Sequence, residues 1–289
     1  MTDEPHSPPR WLPPVAEEPP PEPTEPPTVP IWAPFAALFA VVAVVSMVGA
    51  VILGLLTAND PSIEEFKDAP DAARIGLTLF QDVVFVFAAW ITIRLALGAA
   101  PPEAFGLRRV VSVARALGWA AAVYAGFWIV AAGLTAIFGQ PDDQALVSDI
   151  RDEDALAALI GWAILICVLA PIVEEIFFRG FMFRVLAVRL GAIWAALIVG
   201  VVFGITHYDQ QAEAIQLIAL GAFGVGLCIL YWRTQSIIPC MALHALNNSI
   251  TFGVITEPEP AVFAGIVVLS VGAVVAGATA VSARAKVAA

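Results

Sequence analysis

One segment decides the fold of this chain: residues 155–189 read ALAALIGWAILICVLAPIVEEIFFRGFMFRVLAVR. Its first part contains no charged residue and is long enough for a membrane-spanning helix, which needs about 20 apolar residues. Two adjacent glutamates, Glu174 and Glu175, and an arginine, Arg179, then follow in the same stretch. Because an ionisable side chain inside a membrane helix costs roughly 2.5–3.5 kcal/mol on insertion, such groups persist where they are paired, hydrated or used.

The composition of the whole chain agrees with a membrane protein. Of the 289 residues, 60% are apolar and 13% are charged, whereas soluble domains have about 25% charged residues. The apolar runs are continuous rather than alternating, and only helices and closed barrels satisfy every backbone hydrogen bond in lipid. We therefore predict an all-α membrane protein, a bundle of about eight transmembrane helices. The predicted spans are Phe35–Leu56, Ile75–Leu97, Ala116–Phe138, Ala155–Arg189, Ala192–His207, Ile215–Tyr231, Ile237–Ile255 and Ala261–Val281.

The N-terminal tail, the net charge and the cysteines each argue against one class of structure or partner. Residues 1–33 are rich in proline and glutamate, and this composition predicts a disordered tail because it buries too little apolar surface to offset the entropy of ordering. The net charge of −11 comes mostly from this tail and from acidic loops, and it argues against a nucleic-acid partner. The three cysteines, Cys167, Cys228 and Cys240, lie in apolar stretches and predict small buried side chains rather than disulfides.

Loop charges alternate along the chain and predict its orientation. An excess of lysine and arginine marks cytoplasmic loops. Basic residues follow every second predicted span, and the loops between are acidic. We therefore expect a multi-pass protein of the plasma (inner) membrane with both termini in the cytoplasm. The basic residues are Arg108, Arg109, Arg115, Arg184, Arg189, Arg233, Arg284 and Lys286, and the acidic loops run from Asp142 to Asp154 and from Glu257 to Glu259.

The two adjacent glutamates must face different surroundings, because neighbouring residues lie about 100° apart around a helix. Glu175 and Arg179 are four residues apart on one face and can pair. Glu174 is then turned toward another surface and is available for chemistry, while a purely structural role for the pair stays open. Pro171 lacks an amide proton and crowds the carbonyl of Cys167, which predicts a kink just before the acids.

Two of the three histidines fall in predicted membrane spans. His207 ends the fifth span, and His244 shares a face of the seventh with Asn248, four residues later. If the fourth and fifth spans form an antiparallel hairpin around Gly191, then Glu174 and His207 each lie roughly 25 Å from the turn at 1.5 Å per residue. We therefore expect the acid and this histidine to face each other at one depth.

Other polar residues are harder to place from the sequence. Residues 208–211, YDQQ, follow His207 directly, so either the site lies toward the outer side or these residues line a hydrated cavity within the protein. We favour the cavity, because an acid that is used for chemistry needs access to water. Gln81 and Asp82 lie early in the second span and could touch the cavity, but an interfacial helix start explains them more simply.

The chemistry of hydrolysis leaves two mechanisms open. An acid partly desolvated in a membrane cavity is suited to accept a proton from water. Two histidines and a carboxylate with an open water position also form a known catalytic zinc site, which makes His207, His244 and Glu174 candidate Zn²⁺ ligands. The H-E-x-x-H helix of soluble zinc proteases is absent, and metal-free hydrolysis stays open beside zinc.

Three motifs in successive spans resemble those of a known family of membrane proteases. They are Glu174-Glu175-x-x-x-Arg179, Phe203-x-x-x-His207 and His244-x-x-x-Asn248. This ordered set resembles the CPBP family, the CAAX-protease and bacteriocin-processing proteins also called ABI or Rce1-like. The resemblance covers roughly residues 155–250.

The resemblance implies a role for each motif residue. Glu174 would be the general base that activates water, and His207 would assist it by binding that water or a metal. His244 and Asn248 would stabilise the oxyanion of the tetrahedral intermediate. The remaining pair of the first motif, Glu175 and Arg179, would orient the site.

These inferences predict an organisation and a function. We expect a cytoplasmic tail at 1–33, N-terminal transmembrane helices at 34–150, a CPBP-like protease core at 151–255 and a final transmembrane helix with a short tail at 256–289. The expected function is an intramembrane endopeptidase that acts on protein or peptide substrates in or near the lipid bilayer. Some relatives cut prenylated CAAX tails, whereas others act on unprenylated proteins or confer immunity.

Two rival functions use the same residues. A transporter could use Glu174, Arg179 and His207 as a proton or ion relay, although the chain has no evident inverted repeat. A non-catalytic scaffold or immunity factor could keep the family fold without chemistry. The first would show ion-coupled uptake, and the second would keep its phenotype without Glu174.

Overall fold

A computed structural model of the chain describes residues 29–140, 145–153, 155–208 and 214–288. Residues 1–28 of the predicted tail and the polar residues 209–211 after His207 lie outside the described residues. The same holds for Asp142, Asp143 and Asp154 of the predicted acidic loops.

Every regular element within the described residues is a helix, which confirms the predicted all-α class. Seven of these helices are long and apolar enough to cross a membrane, and the chain is a multi-pass membrane protein. The helices are α1 (Ala33–Asn59), α2 (Asp71–Leu97), α3 (Val113–Phe138), α4 (Ala145–Arg151), α5 (Leu156–Leu190), α6 (Ala192–Ile205), α7 (Ala214–Thr234), α8 (Ile238–Thr256) and α9 (Pro260–Ala288), with 3-10 turns at Phe66–Asp68 and Pro102–Phe105.

Helix α6 corrects the predicted number of spans. It has 14 residues and ends at Ile205, so it is about 21 Å long at 1.5 Å per residue, whereas the hydrocarbon core is about 30 Å thick. The described bundle therefore contains seven long helices and one short apolar helix rather than eight full spans. His207 lies in the turn after α6, and this early end explains why polar residues follow it directly.

Helix α5 runs without a break over 35 residues, but its hydrogen bonding changes along its length. Leu165–Leu169 and Glu175–Phe183 are π-helical, and Ala170–Glu174 between them is α-helical. Such π-helical turns often occur at functional sites. The hydrogen bonding therefore changes just before Pro171, where the sequence predicts a kink, and the helix continues through this position.

The predicted hairpin between α5 and α6 is confirmed. The chain turns at Gly191, whose φ of +76° lies in the left-handed region that favours glycine. Helix α6 then packs back against the second half of α5. This arrangement brings the turn that carries His207 to the same part of the bundle as Glu174.

Glycines allow α6 and α7 to pack with their backbones in contact. A Cβ atom added to Gly204 would meet the backbone oxygen of Leu217 and, at 3.1 Å, the backbone nitrogen of Gly221. One added to Gly224 would lie 3.1 Å from the Cα of Gly200. Small residues at such positions let membrane helices approach closely. The close contact holds the turn after α6 against the rest of the bundle.

The surface and the interior of the bundle follow the expectations for a membrane protein. Large apolar side chains such as Phe39 and Leu95 are 75% and 78% exposed on the outer faces of their helices. The three cysteines are buried and unbridged, which confirms that they serve as small interior side chains. The buried core is largest where α5 meets α2, α6, α7 and α8.

We expect Gly204→Ala to lower the thermal stability of the protein in detergent and to displace the turn that carries His207. The added methyl group meets backbone atoms of α7, which cannot rotate away, and overpacking of this kind costs about 1–3 kcal/mol. Gly126→Ala in α3 is the matched control, because a Cβ atom there meets nothing within 4 Å. Equal melting temperatures for the two variants would contradict the proposed close packing of α6 and α7.

Candidate active site

A cavity of about 580 Å³ lies between α2, α5, α7, α8 and the turn after α6. One end, here called the mouth, is formed by Lys67, Arg74 of α2 and Asp149 of α4. The other end, here called the inner end, contains Glu174, His207 and His244. The structure therefore brings residues from three distant motifs to one space.

One face of α2 forms a wall of this cavity. Arg74, Leu77, Thr78, Gln81 and Asp82 line it with the three- and four-residue spacing of a helix face. The wall is about 12 Å long from the first to the last of these residues. The interpretation of Gln81 and Asp82 as an interfacial helix start is therefore wrong, since α2 begins about 16 Å before Asp82.

Charged contacts hold the mouth together. The guanidinium of Arg74 donates a hydrogen bond to the carboxylate of Asp149 and lies 5.5 Å from the ring centre of Trp162. This ion pair ties the short helix α4 to the start of α2. Nearby, the Glu65 carboxylate accepts a hydrogen bond at 3.0 Å from the Lys67 ammonium and raises the pKa of Lys67. The mouth is thus lined with permanent charges of both signs.

The ion pair predicted from spacing is present between Glu175 and Arg179. Both side chains are fully buried, and one guanidinium nitrogen donates to Glu175 Oε1 at 2.9 Å. A second guanidinium nitrogen donates to the carbonyl oxygen of Gly224 at 2.9 Å. The guanidinium also lies 4.6 Å from the ring centre of Phe203. The pair therefore connects α5 to both α6 and α7.

His244 lies between the two glutamates. Its Nδ1 is 2.9 Å from Glu175 Oε1, and because a carboxylate only accepts hydrogen bonds, Nδ1 carries the proton in this contact. Its Nε2 lies 3.8 Å from Glu174 Oε2. The imidazole is 3% exposed, and the edges of Phe203 and Phe223 contact it at 5.8 Å between ring centres. Glu175 thus fixes the orientation in which the other ring nitrogen faces Glu174.

Glu174 differs from its neighbour in both exposure and partners. Its side chain is 22% exposed and borders the cavity. Its Oε2 is buried and accepts no hydrogen bond from the described residues. A buried carboxylate oxygen without a partner is costly, so this atom is free to hold a water molecule or a substrate group.

His207 is positioned by its own motif. Its Nδ1 lies 2.8 Å from the carbonyl oxygen of Phe203, four residues earlier, and must donate to it. The two rings are also in contact, with 4.7 Å between their centres. Phe203 therefore orients both histidines, which accounts for the aromatic residue in this motif.

Asn248 contacts the backbone of α5. Its Nδ2 donates to the carbonyl oxygen of Ile166 at 2.9 Å. In the π-helical turn, Ala170 N–H bonds to Leu165, and the next residue, Pro171, has no N–H to offer. The carbonyl of Ile166 therefore needs a donor from outside the helix, and Asn248 supplies one. The second Nδ2 proton remains for the oxyanion role implied by the family resemblance.

The structure adds one side chain that the motifs did not identify. Asn247 is 8% exposed, borders the cavity, and its Nδ2 lies 3.4 Å from Asn248 Oδ1. It follows His244 by three residues, a spacing that places both on one helix face. The three-residue spacing from His244 was the sequence signal for Asn247. The motif instead directed attention to its neighbour, Asn248.

The candidate metal ligands do not form a metal site as they stand. Among the described residues, no group of three His, Cys, Asp or Glu side chains is placed to hold a metal ion. Nδ1 of His244 is hydrogen-bonded to Glu175. Only Nε2 of this ring faces Glu174, at 3.8 Å from Glu174 Oε2. We therefore derive no step through zinc at Glu174, His207 and His244.

We expect Glu175→Gln to destabilise the fold more than Glu174→Gln does. Removal of the Glu175 charge leaves Arg179 buried and unpaired, and breaking a buried pair costs about 3–5 kcal/mol. Glu174 loses only the 3.8 Å contact with His244. The measurement is thermal unfolding of both variants in the same detergent. Equal loss of stability would show that the buried pair does not organise the site.

We expect Asn248→Ala to lower stability by about 1–3 kcal/mol, because it leaves the carbonyl of Ile166 without a donor. Pro171→Ala restores an N–H beside that carbonyl, so the double variant should lose less than the sum of the single variants. Asn247→Ala in combination with Pro171→Ala is the control and should be additive. An additive result for Asn248→Ala would contradict the assigned contact.

Comparisons with known proteins agree with the location of the site. Residues 156–250, about a third of the chain, match the family model of the Rce1-like type II CAAX prenyl endopeptidases. A protein of Bacillus subtilis (strain 168) named "Putative membrane peptidase YdiL" is 29% identical over 188 residues, which is 62% of this chain and 71% of the relative. No solved structure matches the chain. The segment that carries all three motifs is thus similar to Rce1-like CAAX endopeptidases.

Proposed function

We propose that this chain is an integral membrane peptidase that hydrolyses peptide bonds of protein substrates in or near the bilayer. The observation that carries the proposal is the geometry of Glu174. Its Oε2 is buried without a partner beside a cavity, 3.8 Å from an imidazole nitrogen whose ring is fixed from the other side. This arrangement suits a base that takes a proton from water.

The first step is activation of water between Glu174 and His244. A gap of 3.8 Å is too long for a direct hydrogen bond, but a water molecule about 2.8 Å from each atom can contact both from the cavity side. Glu174 accepts a proton from this water as the oxygen attacks the peptide carbonyl. General base catalysis of this kind contributes about 10²–10⁴-fold in rate.

The second step is stabilisation of the tetrahedral intermediate. Its oxyanion needs donors aimed at the position where charge develops, and one such donor is worth about 10²–10³ in rate. The second amide proton of Asn248 and the amide of Asn247 border the same cavity and are the available donors. His244 Nε2 donates as well only when the ring carries a second proton, because Nδ1 holds the first one. The Nδ1–H of His207 is held by the carbonyl oxygen of Phe203 and is not one of these donors.

Glu175 and Arg179 act as positioning residues in this mechanism. Both are fully buried and do not border the cavity. Their effect on chemistry passes through the orientation of His244 and through the contact between α5 and α7. We therefore assign them to the support of the site, and Glu174 to the reaction.

The substrate is a protein or peptide that reaches the cavity mouth or its lipid-facing side. Under the orientation predicted from loop charges, the mouth opens away from the cytoplasm, because Arg74 lies at the opposite end of α2 from the basic loop that begins near Arg108. The name of the matched family refers to prenylated CAAX substrates. We propose the broader class of membrane-associated proteins, since no group specific for a prenyl chain is identified.

We expect Glu174→Gln to abolish cleavage of a quenched-fluorescent peptide library by the purified protein in lipid vesicles, with a loss of about 10²–10⁴-fold. Its melting temperature should stay close to that of the wild type, because Glu174 loses only the 3.8 Å contact with His244. Asp71→Asn is the control, since it removes a carboxylate of α2 that does not border the cavity and should keep the activity.

Three results would contradict the proposed peptidase. Full cleavage by Glu174→Gln would remove this residue from the role of base. Ion-coupled uptake into the vesicles without cleavage would indicate a transporter. A cellular phenotype that survives Glu174→Gln would indicate a scaffold. Metal content measured on the same samples, including His207→Ala and His244→Ala, tests zinc independently.

A further inference from the structure

Asp82 borders the cavity as Glu174 does, and none of the three motifs contains it. It lies on α2, about 16 Å from the start of that helix, and it is 8% exposed. Its Oδ2 is buried and accepts no hydrogen bond from the described residues. An acidic side chain so deep in a membrane helix is costly and is retained for a partner or a function.

The described structure contains no contact that would make Asp82 a structural residue. Glu175 and Asp149, by contrast, have cationic partners in Arg179 and Arg74. Asp82 forms none of the ion pairs found among the described residues. Helix α1, which packs against α2, contains no charged residue at all.

Asp82 and Glu174 border the same cavity. Two carboxyl groups that share one site retain one proton between them, because like charges repel. Glu174 Oε2 lies 3.8 Å from an imidazole nitrogen of His244, whereas the buried Oδ2 of Asp82 has no hydrogen-bond partner among the described residues. Asp82 is therefore the group to which the shared proton is assigned.

Asp82 also lies on a path to the site from the lipid side. A separate apolar groove of about 490 Å³ runs along the outer faces of α2 and α5 and includes Val83, Trp90 and Val173. Among the described residues that line the groove or the cavity, Asp82 alone borders both. A substrate that extends from the groove to Glu174 must pass this carboxyl group.

We propose that Asp82 is the acid partner of Glu174 and donates a proton to the leaving amine. The proposal rests on the proposed peptidase function and deepens it. Water oxygen bonds to the peptide carbon while Glu174 takes one water proton. The C–N bond then breaks as the amine nitrogen takes the proton of Asp82. Transfer of the proton from Glu174 to Asp82 restores the starting state, so water and peptide are the only reactants.

The other charged and titratable groups around the cavity do not occupy this position. Glu174 faces Asp82 from α5, and His244 and His207 lie beyond it at the inner end. Lys67, Arg74 and Asp149 are at the mouth, about 12 Å along α2 from Asp82. Glu175 and Arg179 are buried and do not border the cavity.

A stability measurement first tests whether Asp82 is kept for function. Asp82→Leu should raise the melting temperature in detergent by about 2 °C or more, because it removes a buried polar group without a partner, and Asp82→Asn should not lower it. Asp71→Asn, on the same helix and outside the cavity, should not raise it. A lower melting temperature for both Asp82 variants would make the residue structural and overturn the proposal.

The dependence of cleavage on pH tests the role directly, with the peptide library in lipid vesicles as the assay. Wild-type activity should fall on the alkaline side as Asp82 loses its proton. Asp82→Asn should lower kcat by about 10²–10⁴-fold and lack that alkaline fall, whereas Asp82→Glu should recover activity and the fall. Wild-type kcat and pH profile in Asp82→Asn would overturn the proposal.

The two variants separate this inference from the proposed function. If Glu174→Gln is inactive while Asp82→Asn cleaves like the wild type, the peptidase stands and the acid role of Asp82 is wrong. If Glu174→Gln and the wild type cleave equally, the proposed base is wrong, and the role assigned to its partner is overturned with it. Loss of kcat in both variants, with the altered pH profile only in Asp82→Asn, supports both assignments.

Discussion

The structure depends on one buried ion pair, between Glu175 and Arg179. Charges without exposure to water are tolerated when nearly all of their hydrogen bonds are satisfied by the protein, and this pair recruits the imidazole of His244 and the carbonyl of Gly224 for that purpose. These partners belong to α8 and α7. A local pair on α5 therefore determines how three helices pack and which way the imidazole faces.

The same constraint separates the two adjacent glutamates. Because Glu175 is turned into the bundle, helical geometry turns Glu174 toward the cavity, where its buried oxygen has no protein partner. The cavity also contains Asp82 and the amides of α8. A dry layer that contains the ion pair thus supports a cavity bordered by Glu174 and Asp82, neither of which forms an ion pair with a lysine or arginine among the described residues, and we assign positioning to the first and chemistry to the second.

Much of the fold and part of the site follow from the sequence. The helical class, the seven long spans and the hairpin at Gly191 were predictable, because the length of an apolar run and the conformation of a glycine turn are local properties. The pairing of Glu175 with Arg179 was predictable because residues four apart share a helix face. The cost of burying charge in lipid also marks Glu174 and His207 as unusual from their positions in apolar stretches alone.

The sequence by itself determined which segments form helices and which polar residues are candidates for the site. Both follow from the spacing of residues within one segment. Only the tertiary structure decided that α6 ends early, that Asp82 borders the cavity and that Asn248 caps the carbonyl of Ile166. Each of these depends on which helix lies beside which. That choice is made by packing between distant segments, through glycine contacts and buried hydrogen bonds, and no periodicity within a single helix specifies it.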